Sequence, residues 1–560
     1  MPFSQNNIKQ DYTITQAEVS GASSIISGSP IKNQIDLEKQ LSGEWCEDVR
    51  DRIFNYHISS IETPQQQSQN HPSKHQKISF HLPTKEKSGE QSLFENTRNA
   101  QQSILQHSPL SSSTSRVVDW LQVLGGFLAM VNSWGWYGVF KTFYNLELLN
   151  DRPLFHIAWI GSIHTFLVMT GGIMMSNRMV AAGYTKLVMS LGAVITALGM
   201  MMVSLSSKYY QIVLSQGVVM GIGCAFSTSA AIPTINAYFS AKPQLSASSS
   251  CSSFTTNDNP NPVKDWYRRY RKAIAVALAS TGGALGGIIY PAMALRVVPH
   301  ISFPTAAKVI GAIIFGTLVV ATLLLRPLPS APRPVYTLLG NSETGEPSVF
   351  VKIKSALSEN VFDFSALTDI NFVLLSLGAM AFNAGLYVPI FFISQFGIAY
   401  GASLNYAFYL LPVLNSGSVL GRALPPFLSQ KLGPFNSLLA SMAACIVIGF
   451  AWLAVCDSGG VALFAVMFGL TSGAFMALPN ACFAAVSPSA AIAAKRTNVG
   501  AFMSSVGILV GPPLGGLLLR DGDSDFFRSQ IYTGTLMAAG GVLVLAARLS
   551  FTRGQIFVKV

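Results

Sequence analysis

Residues 410–428 read "LLPVLNSGSVLGRALPPFL", a stretch that is apolar enough for a membrane helix and yet contains Arg422. An arginine at the centre of a membrane helix costs about 2.5–3.5 kcal/mol on insertion scales, so such a residue usually faces a cavity or a partner. Asn415 and Ser418 precede it at helical spacings of three and four, which put the three side chains on one helix face. The stretch therefore predicts a polar face inside a bundle of membrane helices.

The composition of the whole chain is that of a polytopic membrane protein. Of its 560 residues, 50% are hydrophobic and 11% are charged, whereas soluble domains average about 25% charged residues. The net charge of +11 comes from basic residues in connectors beside apolar runs, where such residues orient helices in a bilayer. We therefore expect these charges to face a lipid bilayer and not a nucleic acid.

Twelve apolar runs follow residue 116, and each is long enough to cross about 30 Å of hydrocarbon. Six of them lie near 117–144, 154–176, 184–206, 209–239, 273–297 and 305–326. Six more lie near 367–395, 403–428, 434–456, 459–486, 497–519 and 529–551. We predict an all-α membrane protein with twelve transmembrane helices in two six-helix halves.

Polar segments divide the chain between and around these runs. Residues 1–115 are rich in Ser, Gln, Asn and His and are predicted to form a disordered cytosolic tail. The further divisions are an N-terminal half at 116–326 with an inserted loop at 240–270, a central cytosolic loop at 327–366, a C-terminal half at 367–551 and a short cytosolic tail at 552–560. The Ser-rich middle of the inserted loop is predicted to be disordered.

The placement of basic residues predicts the orientation of the chain. The connectors after even-numbered runs carry most of them, including the cluster Arg268, Arg269, Arg271 and Lys272. Because cytoplasmic loops of membrane proteins are enriched in Lys and Arg, we expect both termini in the cytosol. The plasma membrane is the expected location, with the vacuolar membrane as the alternative, and no protein partner is indicated.

The chain carries no motif for a metal, a cofactor or catalysis. Its six cysteines are scattered without a CxxC pair, so they indicate neither a disulfide framework nor a metal site. The phosphate-binding pattern GxxxxGK[ST] is missing, which argues against an ATP-driven pump. Because an activated nucleophile and paired intramembrane carboxylates are missing too, we do not predict an enzyme.

Four strings occur in a characteristic order along the chain. They are "AWIGSIHTFLVMTGG" at 158–172, "GGALGGIIYPAM" at 282–293, "FYLLPVLNSGSVLGRALPPFLSQKLGP" at 408–434 and "GPPLGGLL" at 511–518. Together they resemble the fungal monocarboxylate transporter-like branch of the major facilitator superfamily, of the riboflavin and monocarboxylate permease type. This resemblance spans about residues 117–551 and implies two helical halves that rock about a site near the membrane midplane.

Arg422 is the first candidate for substrate binding. A guanidinium can hold a carboxylate through two parallel hydrogen bonds, which suits an organic anion. The family resemblance implies a substrate role for this arginine, with Asn415 and Ser418 on its predicted helix face. The alternative is that Arg422, near the cytosolic end of its helix, extends toward the lipid headgroups.

The chain departs from the family at residues tied to coupling and gating. In proton-coupled animal members, by resemblance, an aspartate stands one turn before the arginine, and Ser418 occupies that place here. Proton coupling would then need another group, and uncoupled facilitated diffusion is the alternative. The aspartates of a motif that latches the two halves are also absent, with Gln430 in the second place, which implies an altered gate.

Four further residues are candidate substrate contacts. Lys141 near the outer end of the first helix could attract an anion, or extend to the membrane surface. His164, near mid-membrane in the second helix, could carry a proton, or simply join two helices by a hydrogen bond. Asn383 and Tyr387, four residues apart in the seventh helix, could line the solute path, or bridge helices.

These features lead to one main expectation about function and to alternatives. We expect a secondary transporter that moves a small carboxylate-bearing solute by alternating access. The alternatives are a facilitated-diffusion carrier for a vitamin such as riboflavin or for a secondary metabolite, and a nutrient sensor that binds a solute without transporting it.

Overall fold

The computed structural model describes the helical bundle and its shorter connections. The described residues are 114–134, 140, 143–144, 148–149, 151–172, 179–180, 183–249, 262–297, 300–326, 361–519, 526–555 and 558–559. The predicted N-terminal tail, except for its last two residues, and most of the predicted central loop lie outside them.

Six helices form the N-terminal half and follow the predicted order. They are α1, Thr114–Trp134; α2, Leu154–Gly171; α3, Thr185–Leu205; α4, which joins Tyr209–Ile212, the π-helical Val213–Val219 and Met220–Ser249; α5, Pro262–Val297; and α6, Phe303–Leu324. Prolines mark two of their starts, since Pro153 precedes α2 and Pro304 lies in the first turn of α6. Proline is tolerated there because the first N–H groups of a helix have no partner within it.

Six further helices form the C-terminal half. They are α7, Ile370–Ala399; α8, Leu404–Ala423; α9, Pro434–Ala451; α10, Ser458–Met476; α11, Ala490–Leu517; and α12, Phe527–Phe551. Short helices, Pro425–Leu432 and Pro479–Val486, continue α8 and α10 after a break. Each break falls just before a proline, which disfavours helical geometry in the residue ahead of it.

The predicted all-α membrane fold is confirmed. Ten of the helices in the described part of the chain are long and apolar enough to cross a membrane. The other two of the twelve are α1, whose apolar part covers Val117–Ser133, and α8, which contains Asn415 and Arg422.

Two boundaries differ from the sequence prediction. α4 continues to Ser249 and α5 begins at Pro262, so both ends of the segment predicted as an inserted loop are helical, while its middle, 250–261, lies outside the described residues. The first helix is described from Thr114 to Trp134, and most of the rest of its predicted range, up to residue 144, lies outside the described residues. Hydropathy alone did not locate these ends, because α4 and α5 extend beyond their apolar runs.

Close helix crossings at glycine recur in both halves. A Cβ atom at Gly286 of α5 would overlap the carbonyl oxygen of Val131 on α1, and one at Gly507 of α11 would overlap the carbonyl oxygen of Met380 on α7. In each helix a second glycine four residues away, Gly282 in α5 and Gly511 in α11, meets the same partner helix. Small residues at this spacing let helix backbones approach closely in a membrane.

An acid–arginine contact also recurs between the first and fifth helices of each half. Arg271, in the N-terminal third of α5, pairs with the buried Asp119 of α1, which also accepts a hydrogen bond from the Tyr238 hydroxyl at 2.9 Å. In the other half, Arg496 near the start of α11 lies 3.3 Å from Asp369, the N-cap residue of α7. Each pair therefore ties the same two helices together at their N-terminal ends.

The two halves meet along two pairs of helices, α2 with α11 and α5 with α8. In the first pair, the rings of Phe166 and Phe502 make an edge contact with centroids 6.1 Å apart. In the second pair, Asn415 of α8 lies against Gly287 of α5. These two seams frame the region between the halves.

Candidate substrate-binding site

Arg422 lies near the end of α8 and reaches across to α5 in the other half. Its Nη1 donates a hydrogen bond to the main-chain carbonyl oxygen of Ser280 at 2.6 Å, and its Nη2 lies 3.6 Å from Sδ of Met476 on α10. Its Nε has no hydrogen-bond partner among the described residues. Since a guanidinium carries five N–H donors, one strong hydrogen bond holds this group while several donors stay unused.

The charge of Arg422 is not balanced by an acid in the described part of the chain. The ion pairs found there involve other arginines, namely Arg152, Arg271 and Arg496. α10 ends at Met476, which places the partial negative charge of a helix C-terminus beside the guanidinium. Carbonyl dipoles therefore accommodate the cation without neutralising it, and an anion is free to do so.

Two predicted site residues, Asn383 and Tyr387, lie four residues apart on α7. Asn383 and Tyr387 are 8% and 5% exposed, and within the described chain neither side chain has a hydrogen-bond partner. Tyr387 is close enough to Arg422 for the two side chains to interact electrostatically. Because buried polar groups normally have partners, these two side chains are available to a solute or to water.

Asn415 reaches the same partner helix as Arg422. Its Nδ2 donates to the carbonyl oxygen of Gly287 at 3.3 Å and to that of Leu411 at 3.0 Å. Asn415 and Arg422 are seven residues apart, and so are their acceptors Gly287 and Ser280, in reversed order. The antiparallel helices α5 and α8 are therefore joined by two hydrogen bonds, two turns apart, from side chain to backbone.

Ser418 points to a different neighbour. It is 3% exposed, and a Cβ atom at Gly473 of α10 would lie 3.0 Å from its Oγ. The predicted face of α8 thus divides, with Asn415 and Arg422 reaching α5 and Ser418 packing on α10. The helix spacing was read correctly, but spacing does not tell which neighbour surrounds each position.

His164 lies inside the N-terminal half. Its Nδ1 is 3.0 Å from the carbonyl oxygen of Gln216, and its Nε2 is 3.4 Å from that of Ser133. The side chain is 4% exposed, so it joins α2 to α1 and to the π-helical segment of α4. A role in proton transfer stays a prediction.

A buried polar network next to His164 was missed by sequence reasoning. Asn132 of α1 accepts a hydrogen bond from the Tyr290 hydroxyl at 2.6 Å and donates to Thr317 Oγ1 at 3.0 Å. Gln216, whose main-chain oxygen contacts His164, accepts a hydrogen bond from the Tyr144 hydroxyl at 2.6 Å. An asparagine and a glutamine inside apolar runs are themselves a signal for such contacts.

Lys141 lies outside the described residues, so its predicted role as an anion-attracting group stays a prediction. Within the described residues, no group of three or more His, Cys, Asp or Glu is arranged to hold a metal ion. The candidate site thus consists of the cation Arg422 and hydrogen-bonding side chains.

Two helical halves with a cationic site at their seam define a class of protein, the membrane carriers that work by alternating access. Residues 262–502 match the family model of the Major Facilitator Superfamily. A solved structure, the nucleoside transporter NupG, covers 78% of this chain and 99% of its own with a TM-score of 0.51 at 15% identity. This likeness shows the fold.

Fungal proteins provide the sequence relatives. The MFS-type transporter pynF of Aspergillus niger is 28% identical over 446 residues, which cover 79% of this chain and 91% of that protein. The agnestins efflux protein AgnL12 of Paecilomyces divaricatus is 27% identical, with 80% and 90% covered, and the aspyridones efflux protein apdF of Emericella nidulans is 25% identical, with 78% and 79% covered. The chain is thus similar to fungal transporters over about four fifths of its length, and its residues 262–502 match the model of the major facilitator superfamily.

Proposed function

We propose that the chain transports an organic acid across its membrane by alternating access, with Arg422 as the residue that binds the carboxylate. One observation carries this proposal: the guanidinium is enclosed between α5, α8 and α10 with a free Nε and no acid partner among the described residues. A cation held this way is costly unless an anion joins it. The solute supplies that anion.

Asn383 and Tyr387 complete the proposed site from α7. Their side chains are buried without hydrogen-bond partners in the described chain, and Tyr387 interacts electrostatically with Arg422. A solute with a carboxylate and a second polar group can meet Arg422 and these two residues together. Asn415 and Ser418 support the site from α8, Asn415 by its contact with α5 and Ser418 by its packing on α10.

The relatives favour export of a secondary metabolite as the physiological direction. Two of them are named as efflux proteins, for agnestins and for aspyridones. We propose that the substrate of this chain is a small acidic metabolite that leaves the cytosol. Uptake of a monocarboxylate and facilitated diffusion of a vitamin such as riboflavin are the competing substrate assignments.

If transport is coupled to protons, we propose that a group other than Ser418 carries the proton. Ser418 cannot exchange a proton near neutral pH, and it packs against Gly473. Asp369 pairs with Arg496 at the start of α7. His164 is the remaining titratable candidate, so an uncoupled carrier is the simpler form of the proposal.

Substitution of Arg422 tests the proposal. We expect Arg422→Ala to reduce transport at least 100-fold, because removing one partner of a buried charge-assisted pair costs about 3 kcal/mol or more. The measurement is transport of radiolabelled organic acids by the purified full chain in vesicles, with and without a pH gradient. Arg528→Ala, which changes an exposed arginine, is the matched control.

Two outcomes would contradict the proposal. Normal transport by Arg422→Ala at equal protein level would remove the arginine from the site. Binding of organic acids without transport by the wild-type chain would instead support the sensor alternative.

A further inference from the structure

The unused donors of Arg422 lie on one edge of its guanidinium. In this planar group, Nε–H and one N–H of Nη2 point in parallel from the same edge and match the two oxygens of a carboxylate. Nη1, on the other side, is bonded to the Ser280 carbonyl oxygen at 2.6 Å, whereas Nε has no partner in the described chain. The edge suited to a carboxylate, here called the open edge, is therefore the edge at which the described chain supplies no hydrogen-bond acceptor to Nε.

Met476 lies beside Nη2, one of the two nitrogens of this open edge. Its Sδ lies 3.6 Å from Nη2, and a thioether is only a weak acceptor. The methionine side chain is unbranched and flexible, and Met476 ends α10 just ahead of the break before Pro479. An anion with two oxygen acceptors can thus replace the sulphur without disturbing another hydrogen bond.

We propose that the carboxylate of the solute binds side-on to the Nε and Nη2 edge of Arg422 and displaces the Met476 thioether. Nη1 stays on Ser280 throughout, so binding does not require release of α5. Met476 is then a specificity-determining residue, because its side chain occupies the space beside the carboxylate. This inference rests on the proposed function, since it assigns the binding geometry within the same site.

A thermal-unfolding cycle on the purified full chain tests this geometry without a solute. Met476→Glu brings a carboxylate to the open edge, and Met476→Gln is the neutral control of the same shape. At pH 8 we expect Met476→Glu to unfold about 2–4 °C above Met476→Gln, the shift typical of one added favourable contact. In the Arg422→Gln background we expect the reverse order, because the new carboxylate is then buried without a partner.

An equal difference between the two Met476 variants in both backgrounds overturns the proposal. If Met476→Glu does not fold, the reaction of Arg422 with phenylglyoxal, followed by mass spectrometry, replaces it. We expect several-fold faster modification in Met476→Ala than in wild type, because the edge is uncovered. Equal rates overturn the proposal as well.

The outcomes separate this inference from the proposed function. Suppose that Arg422→Ala loses transport, but the two Met476 variants differ equally in unfolding temperature in both backgrounds. This result rejects only the side-on geometry and the role of Met476. Normal transport in Arg422→Ala rejects the proposed function, whatever the cycle shows.

Discussion

At the scale of single residues, Arg422 combines two tasks. One of its nitrogens braces α8 against α5 through the Ser280 carbonyl, and the opposite edge stays free for a ligand. The sequence predicted an inward-facing arginine, because an apolar run tolerates one only beside a partner. The sequence did not predict that the Ser280 carbonyl is the acceptor, because every residue has a main-chain carbonyl and the residue type does not indicate which one accepts.

Other residues show the same limit of sequence reasoning. Asn415 and Ser418 were predicted to share a face with Arg422, but Ser418 packs on Gly473 of α10. Periodicity gives the angle of a side chain around its own helix. Which helix stands at that angle depends on the packing of the whole bundle.

The Tyr387 hydroxyl offers a residue-scale prediction. This side chain is 5% exposed and without a hydrogen-bond partner among the described residues. We expect Tyr387→Phe to keep the stability of the protein and to raise the KM for transport about five- to tenfold, since a lost hydrogen bond to an anionic ligand is worth about 1–1.5 kcal/mol. Tyr409→Phe, at an exposed position, is the control, and unchanged KM in both variants would remove Tyr387 from the site.

At the scale of helices, hydropathy located all twelve elements but not their ends or crossings. Apolar runs of sufficient length predict membrane helices because backbone polar groups must be satisfied within the bilayer. The extensions of α4 to Ser249 and of α5 from Pro262 are polar and carry no such signal. The glycines of "GGALGG" and "GPPLGG" were readable as close-approach sites, and the structure identifies α1 and α7 as their partners.

The crossing of α7 and α11 yields an element-scale prediction. A Cβ atom at Gly507 would overlap the carbonyl oxygen of Met380, so Gly507→Ala must push the two helices apart. We expect a loss of about 1–3 kcal/mol in the free energy of unfolding, as for overpacked cores, and reduced transport. Gly316→Ala on α6, where nothing lies within 4 Å of the added Cβ, should be neutral or stabilising.

Thermal unfolding of the two purified variants gives the comparison. Equal unfolding temperatures would mean that the α7–α11 crossing adjusts without strain. This result would contradict the overlap expected between a Cβ atom at Gly507 and the carbonyl oxygen of Met380.

The contacts at the start of α7 give a second element-scale prediction. Asp363 accepts hydrogen bonds from Ser365 Oγ at 2.6 Å and from Arg496 Nε at 3.2 Å. The Ser365 hydrogen bond, followed by the Arg496 contacts, holds the pKa of Asp363 below its ordinary value of 3.8. A lowered acid pKa stabilises the fold above the unfolded-state pKa, and this stabilisation is lost as the pH falls through the folded-state pKa.

We therefore expect Asp363→Asn to lower the unfolding temperature at pH 7, and we expect this difference from wild type to shrink as the pH falls through the lowered folded-state pKa of Asp363. A series of thermal-unfolding measurements from pH 8 to pH 3 follows this difference. A difference that grows as the pH falls would contradict the assigned direction.

At the scale of the whole molecule, two similar halves are joined along α2–α11 and α5–α8. Each half has its own glycine crossing and its own acid–arginine contact between first and fifth helices. Contacts within a half are thus repeated and dense, which suits motion of the halves as units. Across the closely packed seam at α5 and α8, the side chains of Asn415 and Arg422 donate hydrogen bonds to main-chain oxygens.

A covalent tie across α5 and α8 tests the movement of these halves. A Cβ atom at Gly287 would lie 2.8 Å from Cγ of Asn415, so a disulfide between Gly287→Cys and Asn415→Cys is within reach. We expect oxidation of the double variant to stop transport and a reductant to restore it. The two single variants are the controls, and full transport by the oxidised, cross-linked protein would contradict movement at this seam.

The Ser280 carbonyl that receives Arg422 has a consequence for how such a carrier can diversify. Every amino acid supplies the same main-chain oxygen, so replacement of the residue at 280 keeps the anchoring hydrogen bond of the arginine. On the proposed function, the side chains of α5 can then vary with the shape of the solute while Arg422 continues to bind its carboxylate. Variants engineered along α5 should therefore differ in the molecules they accept and agree in requiring an acid.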